Sequence, residues 1–208
     1  MPAEPERRRY DSVRRTTQAQ QTRADIAQAA REVFESHGWA ATTVKDVALK
    51  AGVSIPTVYA AYGNKAGLIW AVADAADLTA DMPRMLAALE GSAGDPGAQL
   101  GAMAAYDRRL FEQAGDVITL VRDAGRTDPE LATAYTDARR RGDETRIEVF
   151  SSWPAGTLRE ELTVATAVDV YGAICNIDVF HELTVERSWS PDRVEQWWQG
   201  SLVRELLG

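Results

Sequence analysis

A single cysteine, Cys175, is the whole thiol content of the sequence. No intrachain disulfide can staple the fold, and the expected location is the reducing cytoplasm. Histidine is almost as scarce. His37 and His181 stand far apart, and with one cysteine they make no cluster of zinc-site spacing, so neither a metal nor a cofactor is expected. Long apolar runs are missing too: the stretch from Ala165 to Cys175 is broken by Thr166 and Asp169 and is shorter than the roughly 20 residues a membrane helix needs. No apolar segment of a secretory signal stands near the amino terminus, so no membrane partner is expected. The sequence carries no G-x-S-x-G, no G-x-x-x-x-G-K and no E-x-x-H, and His181 is six residues from Cys175 and off its helical face. A helical enzyme is therefore the unfavoured alternative, with no catalytic residues to name.

Positive charge is also in short supply, with 23 Lys and Arg against 31 Asp and Glu, net −8, which excludes a chain that is basic throughout. The deficit is uneven. Residues 1–70 hold 10 basic and 7 acidic side chains, net +3, and residues 71–208 hold 13 and 24, net −11. A basic head on an acidic body hints at a polyanion-binding module. With 45% hydrophobic residues over 208 positions, the chain can bury a core, and disorder throughout is excluded.

Residues 1–20 contain Arg7, Arg8, Arg9, Arg14 and Arg15 and little to bury. They read as a disordered basic arm, either a solvated tail or an extra contact to nucleic acid. From Thr22 the period is helical: Ile26, Ala30, Val33, Phe34 and His37 share a face, and Gly38 offers a stop. Thr43 is placed to cap a second helix, with Asp46 at the capping-box position and Val44, Val47, Ala48 and Ala51 as its apolar stripe. Gly52 ends it. Ser54 caps a short third helix that tolerates Pro56 in its first turn and turns Val58 and Tyr62 inward. Asn64 caps a fourth, expected to run from Lys65 towards Leu89. Asp95, Asp128 and Ser190, each followed by proline, start later helices, expected near 97–114, 116–125, 129–153, 158–185 and 191–207. No segment alternates with a two-residue period and no 20–50-residue unit repeats. The fold class is all-α, about nine helices, with residues 21–67 as an amino-terminal helix-turn-helix domain and 68–208 as a larger helical domain.

Between Thr43 and Tyr62 the small Ala48, the turn at Gly52 and the apolar Val53 and Val58 describe a helix-turn-helix. Its second helix would present Ile55, Pro56, Thr57, Tyr59 and Ala60 to the major groove, with Lys45 as a nearby cation. Amides near Thr43 and Ser54, and the Lys65 ammonium, suit phosphate oxygens. Such geometry also occurs as packing alone, but the local positive charge favours double-stranded DNA as partner.

At these residues the sequence resembles the TetR family of transcriptional regulators, from Thr22 to about Asp74: Val33, Phe34 and Gly38; Thr42 to Ala48; Ala51 to Ser54; Thr57, Val58 and Tyr59; and Asn64 to Leu68. The resemblance implies phosphate contacts by Thr43 and Tyr59, anchoring of helix four to the DNA backbone by Lys65, and base-facing Lys45, Ile55, Pro56, Thr57 and Ala60. The sequence departs from the family's usual His and Phe after the tyrosine, having Ala61 and Tyr62. Ile55 and Pro56 offer apolar contact, for instance to thymine methyls, and no bidentate hydrogen bonds.

In the later helices Val168 and Ile174, and then Val194, Trp198 and Leu202 with Trp197 beside them, form wide apolar stripes. By periodicity these serve an intrachain core or a pairing surface; the resemblance implies a homodimer built on the last two helices. It also implies a pocket for a small-molecule effector, for which Met103, Tyr106, Leu110, Val117, Val121, Tyr135, Ile147, Phe150, Tyr171 and Cys175 are candidate lining and Arg122, Asp123, Arg139 and Asp178 candidate polar anchors. Plain core is the alternative for each apolar position. The function expected is a ligand-responsive regulator, most readily a repressor released from its operator, with an effector-independent DNA-binding protein as the alternative.

Overall fold

The computed structural model describes the backbone of residues 4–208 and the side chains of 17–72 and 81–208. Among these residues all regular structure is helical, apart from one isolated antiparallel bridge between Leu158 and Leu207. The chain divides into two compact units, residues 1–72 and 73–208.

The first unit opens on α1, Glu4–Ala41, interrupted at Gly38. It starts well before Thr22 because the segment is rich in Arg, Gln, Glu and Ala, which lose little on entering a helix, and has no proline or glycine between Pro5 and Gly38. The five arm arginines have side chains outside the described residues. Ile26, Ala30, Val33 and Phe34 are buried as their spacing predicts, whereas His37, next to the break, is exposed. Short helices follow, α2 (Val44–Ala51) and α3 (Ile55–Tyr62), and then α4 (Lys65–Ala80). Val47, Ala48, Val58, Ala66, Leu68, Ile69 and Val72 complete an apolar core, in which each fully buried large side chain is worth on the order of 1.5–3 kcal/mol.

The helix expected from Lys65 to Leu89 is two. After Ala80, Asp81 takes a left-handed conformation (φ 59°) and its carboxylate accepts from the Arg84 amide at 3.1 Å, starting α5, Met82–Gly91. Pro83 is the cause, since in a continuous helix it would lack a donor and clash with the preceding turn.

In the second unit α6 (Pro96–Ala124) runs unbroken where two helices were expected, and α7 (Pro129–Ser151) follows. Gly115 does not end a helix. A Cβ there would lie 2.9 Å from Ile177 Cδ1, so the glycine lets another helix approach. The helix expected over 158–185 is also corrected. It begins at α8 (Val164–Ile174), capped by Thr163, breaks at Cys175, resumes as α9 (Ile177–His181) capped by Asn176, and passes into a π-helical turn, Glu182–Glu186. α10 (Pro191–Leu206) closes the unit. Its core joins Leu100, Met103 and Ala104 of α6 to Phe150, Trp153, Ala167, Val168, Tyr171, Phe180, Val194, Trp198, Leu202 and Leu206.

Candidate nucleic-acid interface

The corner between α2 and α3 is fixed by local hydrogen bonds. The Asp46 amide donates to the Thr43 hydroxyl at 3.2 Å, while the Thr43 amide and hydroxyl donate to the Asp46 carboxylate at 2.9 and 2.6 Å. Those bonds hold the Asp46 carboxyl below its ordinary range, the hydroxyl contributing most. Gly52 then adopts a left-handed turn (φ 66°) that few other residues accept, and its amide closes back on Ala48 and Leu49. Ser54 caps α3 by accepting from the Thr57 amide at 3.3 Å. This is the helix-turn-helix the spacing predicts.

On α3 the side chains divide cleanly. Val58 is buried, and the Tyr62 hydroxyl donates to the Arg23 carbonyl at 2.7 Å. Ile55 and Tyr59, one turn apart, are 39% and 51% exposed, and Pro56 and Ala60 are exposed beside them. Thr57 is half-buried with its hydroxyl 2.7 Å from that of Ser54. Lys45 stands exposed on α2.

Lys65 sits differently from the expectation of a cation held out to phosphate. Its ammonium lies 4.1 Å above the Trp39 ring and donates to the Trp39 carbonyl, tying the start of α4 to the end of α1. Asn64 caps α4 through the Gly67 amide at 2.7 Å. A Cβ on Gly67 would fall 1.9 Å from the Tyr62 carbonyl oxygen, so the α3–α4 corner can close only around glycine. Neither the Trp39 contact nor this close approach was visible in the sequence pattern.

In the second unit Met103, Phe150, Tyr171 and Cys175 of the candidate effector site belong to one apolar core, with Tyr106 packed against it. Met103, Val117, Val121, Phe150, Tyr171 and Cys175 are buried, Tyr106, Leu110 and Tyr135 partly so, and Ile147 and Arg139 are exposed. Two expected polar anchors satisfy each other: Arg122 donates to both carboxylate oxygens of Asp178, at 2.7 and 2.8 Å, and is 3.3 Å from exposed Asp123. A cavity of about 740 Å³ is lined by side chains from the segment between Phe150 and Val164, among them Trp153, Pro154 and Arg159, together with Gly208; of the candidates it includes Phe150 alone.

A buried polar cluster escaped the sequence reading. Asp107 on α6 is 4% exposed and accepts from Arg146 of α7 at 2.9 and 3.2 Å and from the Tyr171 hydroxyl of α8 at 2.9 Å. Arg146 lies 4.5 Å over the Tyr171 ring and also donates to Asp143 at 3.1 Å. Burial pulls the Arg146 guanidinium down, but the Asp107 charge overrides it and the net shift is upward. Burial, reinforced by Asp107, raises the Tyr171 hydroxyl and the Cys175 thiol well above their ordinary ranges, which keeps both protonated.

The pairing stripe of the last helix is also reassigned. Val194, Trp198 and Leu202 have no exposed surface, because other helices of the same unit, chiefly α6, cover them: the Trp198 ring packs edge-on to Phe111 of α6 with centroids 6.0 Å apart and lies 5.9 Å from Phe180 of α9. Val168 is buried and Ile174 partly buried. Trp197 remains on the surface, 39% exposed, with its ring edge-on to Trp189 at 6.3 Å, and Val203 is 37% exposed.

A capped helix-turn-helix with a solvent-facing second helix, followed by a helical second unit, defines the class of helix-turn-helix proteins. Residues 26–72 match the model of the bacterial regulatory proteins of the tetR family, so the first unit carries a domain similar to that family's. It is 44% identical over 70 residues to the HTH-type transcriptional regulator TtgR of Pseudomonas putida, a match spanning about a third of either chain, 33% of each. Solved structures extend the likeness of fold to 91% of the chain. A transcriptional regulator from Saccharomonospora viridis in complex with choline has a TM-score of 0.72 at 18% identity over 99% of its length. NalD, the secondary repressor of the MexAB-OprM multidrug efflux pump in Pseudomonas aeruginosa, has 0.69 at 21% over 98%.

Proposed function

We propose that the chain is a DNA-binding transcriptional regulator that works as a homodimer and leaves its operator when its second unit takes up a small-molecule effector. The observation that carries this is the outer face of α3, held out by a fully capped helix-turn-helix in the part of the chain with net positive charge, +3 over residues 1–70 against −11 over 71–208. The amides at the starts of α2 and α3 suit phosphate oxygens, Tyr59 and Lys45 stand ready for backbone or base, and one such module needs a partner copy on a second half-site. The choline held by the Saccharomonospora viridis regulator and the repressor role of NalD support ligand response and repression as the mode. An effector can shift the operator equilibrium only by its differential affinity for the two states.

Selection of bound fragments from the source genome by the full chain tests the reading, followed by affinity against salt. A specific duplex with log K falling steeply with log salt is expected; salt-insensitive or sequence-blind retention would overturn it. Tyr59→Phe is expected to weaken binding across sequences. Lys65→Ala distinguishes two roles. A salt slope reduced by about one unit makes Lys65 a phosphate contact, whereas a lowered melting temperature with an unchanged slope makes the Trp39 contact its whole function. For the dimer, Trp197→Glu is expected to shift sedimentation towards monomer, and an unchanged coefficient rejects Trp197 as an interface residue.

A further inference from the structure

Resting on the DNA-binding reading, we infer that the α3 face recognises its half-site through the C5-methyl groups of thymine, with Ile55 as the principal reader. What α3 can offer a groove is mostly apolar. Ile55, Pro56 and Ala60 have no polar side-chain atoms. The Thr57 hydroxyl is engaged with Ser54 at 2.7 Å, and the Tyr62 hydroxyl is committed to the Arg23 carbonyl at 2.7 Å. Among the described side chains of α3, Tyr59 alone brings a solvent-facing polar group without a hydrogen-bonded partner, and its phenol stands on the exposed edge of the helix.

A major-groove edge presents acceptors on guanine, adenine and thymine, donors on cytosine and adenine, and a single kind of apolar group, the thymine methyl. Pressing Ile55 and Pro56 onto a guanine or cytosine edge would strip water from polar atoms and return no hydrogen bond, which is unfavourable. Against a thymine methyl the same surface removes apolar area from water on both sides. Ile55 opens α3 and is 39% exposed, so it is at the end a recognition helix points into the groove and has surface left to bury. Lys45 stands exposed on α2 and adds no polar group to α3 itself. The operator expected is therefore one with thymines placed under α3, and its recognition depends on their methyls as well as on their pairing.

The test uses the full chain and the duplex recovered by selection. Each half-site thymine is replaced in turn by deoxyuridine, which keeps every hydrogen-bonding group and removes only the methyl, and affinity is read by fluorescence anisotropy at fixed salt. One or two positions per half-site are expected to lose about 4-fold each, the worth of one buried carbon. Ile55→Ala is expected to weaken binding to the thymine operator while leaving affinity for the uracil-substituted operator nearly unchanged, so the two losses fail to add. Affinities within twofold of the parent at every uracil position would overturn the inference with no variant needed, and so would an Ile55→Ala loss of equal size on both duplexes. Absence of salt-sensitive binding to the unsubstituted duplex is a different result, and it overturns the DNA-binding reading itself.

Discussion

The two units bury different things. Among the described residues the first encloses apolar side chains and one threonine, Thr42, whose hydroxyl donates to the Gly38 carbonyl at 2.8 Å. The second buries Asp107, Gln99 and Ser201, and places a carboxylate, a guanidinium and a phenol where three helices meet. In the head Thr43, Ser54 and Asn64 sit at corners, where each satisfies a helix end and sets a turn. In the body they bind one helix to another through the interior. A corner can lose its cap for about 1 kcal/mol. A buried charge that loses its partner costs several times that.

Breaking the body is thus expected to have the largest effect. Asp107→Ala leaves the Arg146 guanidinium buried without its main counter-charge and is expected to cost about 3–5 kcal/mol, read as a lowered denaturant midpoint. The double variant Asp107→Leu with Arg146→Met removes both charges and is expected to return most of that loss; a double variant as unstable as the single would mean that the cluster acts through packing alone. Next comes Gly67→Ala in the head. With its Cβ driven onto the Tyr62 carbonyl, backbone must move, and a loss of about 1–3 kcal/mol is expected, against the roughly 1 kcal/mol gain that alanine brings to an ordinary helix interior. A neutral or stabilising outcome by thermal melting would show that the α3–α4 corner yields freely.

Thr43→Ala is smaller, about 1 kcal/mol for a lost N-cap. It carries a pH signature. Because hydrogen bonds from Thr43 lower the Asp46 carboxyl in the folded chain, their stabilisation is complete above the unfolded value near pH ~4 and fades as pH falls through the lower folded value. The gap between parent and Thr43→Ala melting temperatures is expected to narrow below about pH 4, and a gap constant down to pH ~2 would separate the cap from Asp46 ionisation. Asp178→Ala is expected to matter least, roughly 0–1 kcal/mol, since its pair with Arg122 is largely exposed to solvent.

Much of the head is legible in the sequence. Thr43, Ser54 and Asn64 each cap the helix they were expected to cap, as do Asp95, Asp128 and Ser190 in the body. The errors have specific causes. The apolar period continues across Pro83 and hides the break there, and the two helices expected on either side of residue 115 are one because the small size of Gly115 serves a neighbour. Val194, Trp198 and Leu202 were grouped with a pairing surface because periodicity marks a buried face without saying what buries it.

What the sequence determined by itself is whatever a residue settles with neighbours three or four positions away: caps, turns, the inward stripe of each helix and the helix-turn-helix they compose. Tertiary structure alone decided that Lys65 closes on Trp39, that Asp107 meets Arg146 and Tyr171, and that α6 takes the apolar face of α10. Those partners are 26, 39 and 64 residues apart in the side-chain contacts. At such separations a charge or an aromatic ring leaves no periodic trace, and its partner is selected by the packing of whole helices.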